Sequence, residues 1–435
     1  MYIPYEKISK KLTTILPNFL SKFVEELFNE LKIQQNEHFI LQNHKKVILK
    51  LREKIKSKEK INVIFYVYDE TKWKNQSLYD LFEKEEIFIP HIYVTKNTAP
   101  TNNANHQTKS DIEKVYSFFK NKGMRVSYAY DFEKDCHISF DKMDTIPDII
   151  IYSHPWYVHT TQGPVLTSKY AINYYIPYFI ANSTCEIEYY LRFHRYIQNY
   201  CVLNSHLAED YKQKMKNSGK NLLVVGHPIL DFFYLNKNKL YEKKDYVIYA
   251  PHWTIDKNTT LKFGNFLWAG KFMLEWAKSH PEIKWVFKPH PCLKEYLKIN
   301  KYMSEEDIDK YWSEWSRIGE VNETGNYLDL FMSSKAMITD CGSFLTEYFF
   351  THMPVIHLRN SEAFPFNTTV SKITNAYYQA TNTNDLEKYL EQILILNKDS
   401  LEKKRRKIFE ELDLGNTYAA MNILNDIKKE LKINE

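Results

Sequence analysis

The sequence predicts an α/β protein built as two facing Rossmann-like lobes, with a helical extension before them and a helical tail after them. Three observations carry this. Short apolar and aromatic runs, fit for strands buried on both faces, recur with helix-period segments between them; that alternation implies parallel strands covered by helices. The runs form two sets, divided by the polar segment FFYLNKNKLYEKK (232–244), which reads as a hinge. The length, 435 residues, exceeds one ordinary domain, so two are expected.

The helical extension covers 1–60. Phe19, Phe23, Leu27 and Leu31 repeat every four residues, with Leu20, Val24 and Phe28 beside them, so one broad face is apolar. A basic stretch follows: Lys45, Lys46, Lys50, Arg52, Lys54, Lys56, Lys58 and Lys60, opposed by Glu53 and Glu59. It reads either as a solvated helix face or as a docking surface for an anionic membrane, where each basic residue contributes about 1 kcal/mol.

The first lobe is expected over 61–235. Its strands are NVIFYVY (62–68), IPHIYV (89–94), MRVSYAY (124–130), DIIIYS (148–153), YYIPYFI (174–180), YIQNYCVL (196–203) and NLLVVG (221–226). Helices are expected over 110–122 and 206–218, and a loop over the Asn- and Thr-rich 97–110. The second lobe, 236–384, has strands YVIYAP (246–251), WVFKPH (285–290), AMITD (336–340), PVIHLR (354–359) and AYYQA (376–380). Helices separate them over 263–280, 303–318, 326–334 and 343–352, and the tail 385–435 is helical.

Composition narrows the function. Apolar residues make up 44% and charged residues 26%, which is globular. A net charge of +5 is mild, and neither lobe has a basic stripe interleaved with aromatics, so nucleic acid is excluded as a partner. Cys136, Cys185, Cys201, Cys292 and Cys341 include no C-x-x-C pair; a reducing cytoplasm fits better than a disulfide or zinc framework. The start MYIPYEKISKK lacks the apolar core of a signal peptide, and no run approaches the ~20 residues of a transmembrane helix. A cytoplasmic protein, soluble or peripheral on the inner face of the membrane, is expected. The Asp-x-Asp at Asp307-Ile308-Asp309 lies in a solvated helix pattern, so no metal is expected.

In open α/β sheets, ligands bind beyond the carboxyl ends of the strands. MITDCGSFLTEYFFTHMPVIHLR (337–359) ends a strand at Thr339-Asp340 and turns through Cys341-Gly342-Ser343 into a helix. Gly342 and Ser343 read either as a diphosphate site at a helix N-terminus or as the turn and cap alone. Glu347 stands one position too late for a capping box with Ser343; it is either a partner for ribose hydroxyls or an exposed helix glutamate. KPHP sets Lys288 and His290 past another strand, with prolines fixing the backbone, as a leaving-group site or a structural turn. YAPHW delivers His252; SHPWYVHTTQGP delivers His154 and His159; VVGHPILD delivers Gly226, His227 and Asp231. Strand exits from both lobes would line one cleft.

YAPHWT (249–254), KPHP (288–291), YLDLFMSSKAMITDCGS (327–343), MPVI (353–356) and DLGNTYAAMNI (413–423) together resemble the CDP-glycerol glycerophosphotransferases, teichoic-acid and capsule polymerases of the GT-B type. The resemblance covers mainly 220–425. His252-Trp253-Thr254 stands where that family has Thr-Trp-Arg, and Cys341-Gly342-Ser343 where it has Tyr-Ser-Ser. The resemblance implies a nucleotide-diphosphate donor, CDP-linked, in the second lobe and no further cofactor. By carry-over Gly342 and Ser343 would hold the diphosphate, with Asp340, Cys341, His252 and Gly226 expected among the donor-binding residues. Lys288 and His290 would assist the leaving group. His154, with His159 as its substitute, would deprotonate a hydroxyl of a polysaccharide or lipid-linked glycan acceptor. The implied reaction is transfer of glycerol phosphate or a related polyol phosphate; sugar transfer from a nucleotide sugar is the alternative. ITDCGSFLTEYFFTHMPVIHLR is also similar to the non-hydrolysing UDP-N-acetylglucosamine 2-epimerases, though APHWTIDK lacks their His-Arg-Arg-Glu-Asn stretch. A non-catalytic nucleotide-binding scaffold is the remaining expectation.

Overall fold

A computed structural model describes residues 5–13, 18–101, 106–185, 189–238, 244–323, 325, 327–414 and 417–433. Parts of the expected hinge (239–243), of the Asn-rich loop (102–105) and of the tail motif (415–416) lie outside the described residues.

The first lobe holds seven parallel strands: β1 (Ile61–Val67), β2 (Phe88–Val94), β3 (Val126–Tyr128), β4 (Ile149–Tyr152), β5 (Ile172–Tyr175), β6 (Asn199–Val202) and β7 (Leu222–Val224). They lie in the order β3-β2-β1-β4-β5-β6-β7. The second lobe holds six: β8 (Tyr246–Ala250), β9 (Lys284–Phe287), β10 (Gly319–Val321), β11 (Ser334–Thr339), β12 (Val355–Leu358) and β13 (Tyr378–Ala380), in the order β10-β9-β8-β11-β12-β13. Both sheets start at their centre, wind out to one edge and return to the other side. Each therefore has a switch point, between β1 and β4 and between β8 and β11, where a crevice opens beyond the strand ends. The central strands are apolar on both faces because helices cover both; Phe65, for example, pairs with Ile92 and Ile151, and all three are buried.

Local departures from the sequence pattern have identifiable causes. YYIPYFI leaves the sheet after Tyr175, because Pro177 has no N–H for a central ladder. The expected strand 196–203 begins at Asn199; Arg192–Tyr196 is a helical turn. The edge strand β10 is three residues long and starts at Gly319, where a Cβ would meet the Trp285 carbonyl oxygen at 2.3 Å. So short an edge leaves little periodicity to read.

The N-terminal helices are α1 (Tyr5–Thr13) and α2 (Asn18–Lys56). Val47 and Leu51 of α2 enter the first-lobe core. Part of the basic stretch is committed to the fold: Lys54 pairs with Asp148 at 2.5 Å, and Arg52 donates to the Glu430 carbonyl at 2.8 Å. Leu20, Phe23, Leu27, Leu41 and Leu49 remain exposed, within an arc of about 80° at 100° per residue.

The tail divides. Thr383–Leu390 packs in the second lobe, whereas the helix Ala419–Leu431 returns to the first and buries Ile423, Leu424, Ile427 and Leu431 against its core. Asp231 anchors the return by accepting from the backbone N–H of Ala419 (2.7 Å) and Ala420 (3.0 Å) and from Ser77 Oγ (2.8 Å). The lobes also touch directly: Asn367 Nδ2 donates to the Ala181 carbonyl at 2.7 Å, and the Thr184 N–H to the Pro365 carbonyl at 2.9 Å.

Candidate functional site

The first-lobe wall of the cleft is built by the exits of β1 and β4. After β1, Asp69 caps a single 3-10 turn, accepting from the Thr71 N–H at 3.0 Å, and pairs with Lys72 at 3.0 Å. Trp73 is held inward, edge-on to Phe65 (5.4 Å) and Phe119 (5.1 Å). Its neighbours Lys72 and Lys74 reach the other way, Lys72 over the Tyr178 ring at 5.2 Å and Lys74 over the second-lobe Tyr327 at 5.1 Å. Asn75 donates to Ser153 Oγ at 2.9 Å and so fastens this loop to the exit of β4.

His154 follows Ser153. Only 1% of it is exposed, and its ring lies between Tyr68 (4.1 Å) and Tyr178 (5.0 Å). Neither ring nitrogen has a hydrogen-bond partner among the described residues. Burial, aided by the Lys72 charge and opposed by Asp69, holds its pKa well below 6.5. It is therefore a neutral imidazole with a free lone pair.

In the second lobe Asp340 joins the exits of β8 and β11. It accepts from the His252 N–H at 2.6 Å and the Asn265 N–H at 2.5 Å, and burial raises its pKa to about 7. Asp340, expected among the donor-binding residues, instead spends both oxygens on backbone N–H groups and is a strut beneath the loops. Gly342 also has a different cause from the one expected. A Cβ there would meet Asn182 Nδ2 at 2.7 Å and Phe263 at 2.9 Å, so close approach by the protein demands the glycine. The helix it opens, Gly342–Glu347, is six residues long, with buried Cys341 before it and Ser343 half-buried in its first turn.

The charged centre lies alongside. Lys288 is buried, donates to Asn322 Oδ1 at 3.2 Å and sits 5.4 Å from the Tyr327 ring centroid, so the ammonium groups of Lys74 and Lys288 share one aromatic ring. Burial lowers the Lys288 pKa to about 8; Cys341 opposes this, and the Lys74 charge adds a smaller lowering. Glu347 is also buried, not on an exposed helix face; its Oε2 accepts from Tyr327 Oη at 2.6 Å. Burial raises its pKa to about 7, with Lys74 and Tyr327 opposing. Lys74 thus spans from the first lobe to a second-lobe carboxyl and cation.

His290 and His252 stand edge to face at 4.8 Å. His290 Nδ1 accepts from the Cys292 N–H at 3.1 Å, and His252 Nδ1 from the Thr254 N–H at 3.3 Å. That assigns the ring proton to Nε2 in each neutral ring. Burial and then Lys288 lower the His290 pKa to about 4, so at neutral pH it is a hydrogen-bond donor and not a charged acid.

Three expected residues lie elsewhere. His159 stacks on His137 at 4.2 Å and bonds Thr161 Oγ1 at 2.8 Å, beside the hairpin of Tyr130–Asp131 and Cys136–His137. Gly226, expected at the donor, has φ +91°, and a Cβ there would strike Thr417 at 2.3 Å; it makes room for the returning tail. His227 is a structural histidine, bonded through Nε2 to the Pro177 carbonyl at 2.7 Å. Lys72 and Lys74 escaped the sequence reading, although VYDETKWKN (67–75) is a strand exit like the others. Among the described residues, no group of three or more His, Cys, Asp or Glu is arranged to hold a metal, and no helix is long and apolar enough to cross a membrane.

Glu347 gives a pH-dependent prediction. Its pKa is raised from 4.5 to about 7, so the folded chain binds more protons than the unfolded between those values. Stability then falls as pH rises through that window, by on the order of 3 kcal/mol in all. Glu347→Gln is expected to raise the melting temperature more at pH 8 than at pH 5. Equal shifts at the two pH values would locate the cost elsewhere.

No protein-family model and no curated protein matches the chain. Solved structures match over nearly the whole chain. UDP-GlcNAc 2-epimerase from Neisseria meningitidis, bound to UDP-GlcNAc, is 15% identical with a TM-score of 0.53, covering 85% of this chain and 100% of its own. The S. aureus MnaA–UDP complex is 15% identical with a TM-score of 0.52, covering 86% and 98%. The wall teichoic acid polymerase TagF is 12% identical with a TM-score of 0.52, covering 92% and 98%. The fold is of the GT-B type. At these identities the likeness is one of fold, and the chemistry has to be argued from the cleft.

Proposed function

We propose that the chain is a transferase that takes a nucleotide-diphosphate donor in the second lobe and passes glycerol phosphate, or a related polyol phosphate, from a CDP-linked donor to an acceptor hydroxyl of a surface polysaccharide. The observation that carries it is the pairing of Lys74 and Lys288 across the cleft, on Tyr327 and beside Glu347. Two partly desolvated cations that repel one another are suited to a diphosphate, which neutralises both. Glu347, when ionised, has an oxygen left for ribose hydroxyls, while its other oxygen is taken by Tyr327. The preference for a CDP-linked polyol comes from the ordered motifs YAPHWT, KPHP and TDCGS.

The acceptor hydroxyl would attack the phosphorus that bears the polyol. The bond from that phosphorus to the bridging oxygen breaks, CMP leaves with the bridging oxygen, and His154 takes the hydroxyl proton. Lys74 and Lys288 balance the charge that develops on CMP, and the Nε2–H of His290 is available to donate to it. A sugar-nucleotide reading, by glycosyl transfer or epimerisation, is favoured by the fold likeness to the UDP-GlcNAc 2-epimerases; it uses the same charged centre. Incubation with CDP-glycerol and an oligo(glycerol phosphate) primer, followed by phosphorus NMR, separates them. Diphosphate signals are expected to give way to CMP and a phosphodiester. Conversion of UDP-GlcNAc to its C2 epimer, with CDP-glycerol untouched, would replace this assignment.

The exposed stripe of α2 fits docking on an anionic membrane surface, with Phe23 63% and Leu41 61% exposed. Phe23→Glu combined with Leu27→Glu is expected to release the protein from phosphatidylglycerol vesicles in co-sedimentation. Undiminished sedimentation would remove the membrane from this account.

A further inference from the structure

A second cavity, separate from the charged centre, lies between α2 and the segment that follows His154. Its volume is about 770 Å³, within the range of small-molecule sites. Phe39 of α2 forms one side; Val158, Val165, Leu166 and Phe193 form the rest of an apolar wall. Among the described residues its charged lining is Lys169 and Arg192, with no carboxylate. Both cations are exposed, and neither makes an ion pair among the described residues; Lys169 Nζ lies 5.9 Å from the Phe39 ring centroid.

We propose that this trough binds an aliphatic chain ending in a phosphate, with the chain against the apolar wall and the phosphate at Lys169 and Arg192. The charge pattern selects the head group. A trough with cations at its rim and no acid attracts an anionic amphiphile and repels a cationic one. The apolar wall selects the tail, because each buried methylene adds about 0.8 kcal/mol, or about fourfold in affinity. The site is independent of the nucleotide assignment: it shares no residue with the Lys74, Lys288 and Glu347 centre. It is nevertheless walled by Pro155, Tyr157 and Val158, the residues that follow His154. A phosphate-headed amphiphile seated there would lie on the acceptor side of the cleft.

Calorimetric titration with monomeric decyl phosphate, below its micelle concentration, tests this on the full chain. Octyl phosphate, two methylenes shorter, should bind about fifteenfold more weakly. Decyltrimethylammonium should show no saturable binding, and inorganic phosphate should bind at least about a hundredfold more weakly than decyl phosphate. The paired change Lys169→Glu and Arg192→Glu should weaken decyl phosphate at least about tenfold and leave nucleotide affinity unchanged. Leu166→Trp, which fills the trough without altering a charge, should weaken octyl and decyl phosphate alike. Equal binding of the phosphate- and ammonium-headed amphiphiles, or unchanged affinity in the charge-reversed protein, would overturn the proposal. A retained melting temperature certifies the fold of each variant, so failure here is distinct from failure of the transferase assignment.

Discussion

Replacing His154 with Ala is expected to lower turnover by about 10²- to 10⁴-fold, the usual contribution of a general base, while nucleotide affinity is unchanged. The imidazole is buried between two tyrosines, neutral at physiological pH and without a partner on either nitrogen among the described residues. His227, by contrast, spends its N–H and lone pair on the fold, with the Pro177 carbonyl and the Ile229 N–H. Because burial holds the His154 pKa well below 6.5, the acid limb of the rate profile should lie below that value. The limb should vanish in the variant. Full activity in His154→Ala would remove the residue from the chemistry; His159 is too committed to His137 and Thr161 to replace it.

Lys74→Ala and Lys288→Ala should each weaken nucleotide-diphosphate binding by about 10- to 150-fold, the effect of removing one charged hydrogen bond of 1.5–3 kcal/mol. The two losses should not add, since the Lys74 charge lowers the Lys288 pKa and a single ligand neutralises both. Lys74 is the more informative of the two, because it comes from the lobe opposite the expected donor site. A loss there means that both lobes grip the diphosphate. Lys288, with a pKa of about 8, adds a pH signature: affinity should fall as pH rises past 8, since only the ammonium form attracts the anion. Lys288→Arg should keep its affinity to higher pH. Isothermal titration at pH 7 and pH 9 reads both effects.

The fold was legible in the sequence because the central strands are apolar on both faces and their exits are marked by Pro, Gly and His. Met337–Thr339 follows both parts of that rule, with Gly342 at its exit, and Val63–Val67 follows the first part only; the structure places their exits at the two switch points. The site was legible only as a set of strand ends. Glu347 and Lys288 come together because Tyr327, 20 residues before Glu347 in the chain, bonds one and underlies the other. No spacing rule reports such a contact. The role of Asp340 was misread because a carboxylate at a strand end looks the same whether it faces a ligand or a backbone N–H. Gly226 was misread because a tail 191 residues later, at Thr417, occupies the space beside it. Lys74 was passed over because its strand exit carries acids, lysines and aromatics without the Pro, Gly or His that flagged the others.

The central claim is that the Lys74, Lys288 and Glu347 centre holds a nucleotide diphosphate, cytidine-linked. Thermal shift of the purified protein against CMP, CDP, UMP, UDP, GDP and CDP-glycerol tests it most directly, since a ligand at ~100 times its Kd adds about 2.7 kcal/mol of stability. The account predicts the largest shifts for CDP and CDP-glycerol, lost in Lys74→Ala and in Lys288→Ala. A uridine- or guanosine-selective shift would contradict the donor assignment, and no shift with any of the six would contradict the site itself.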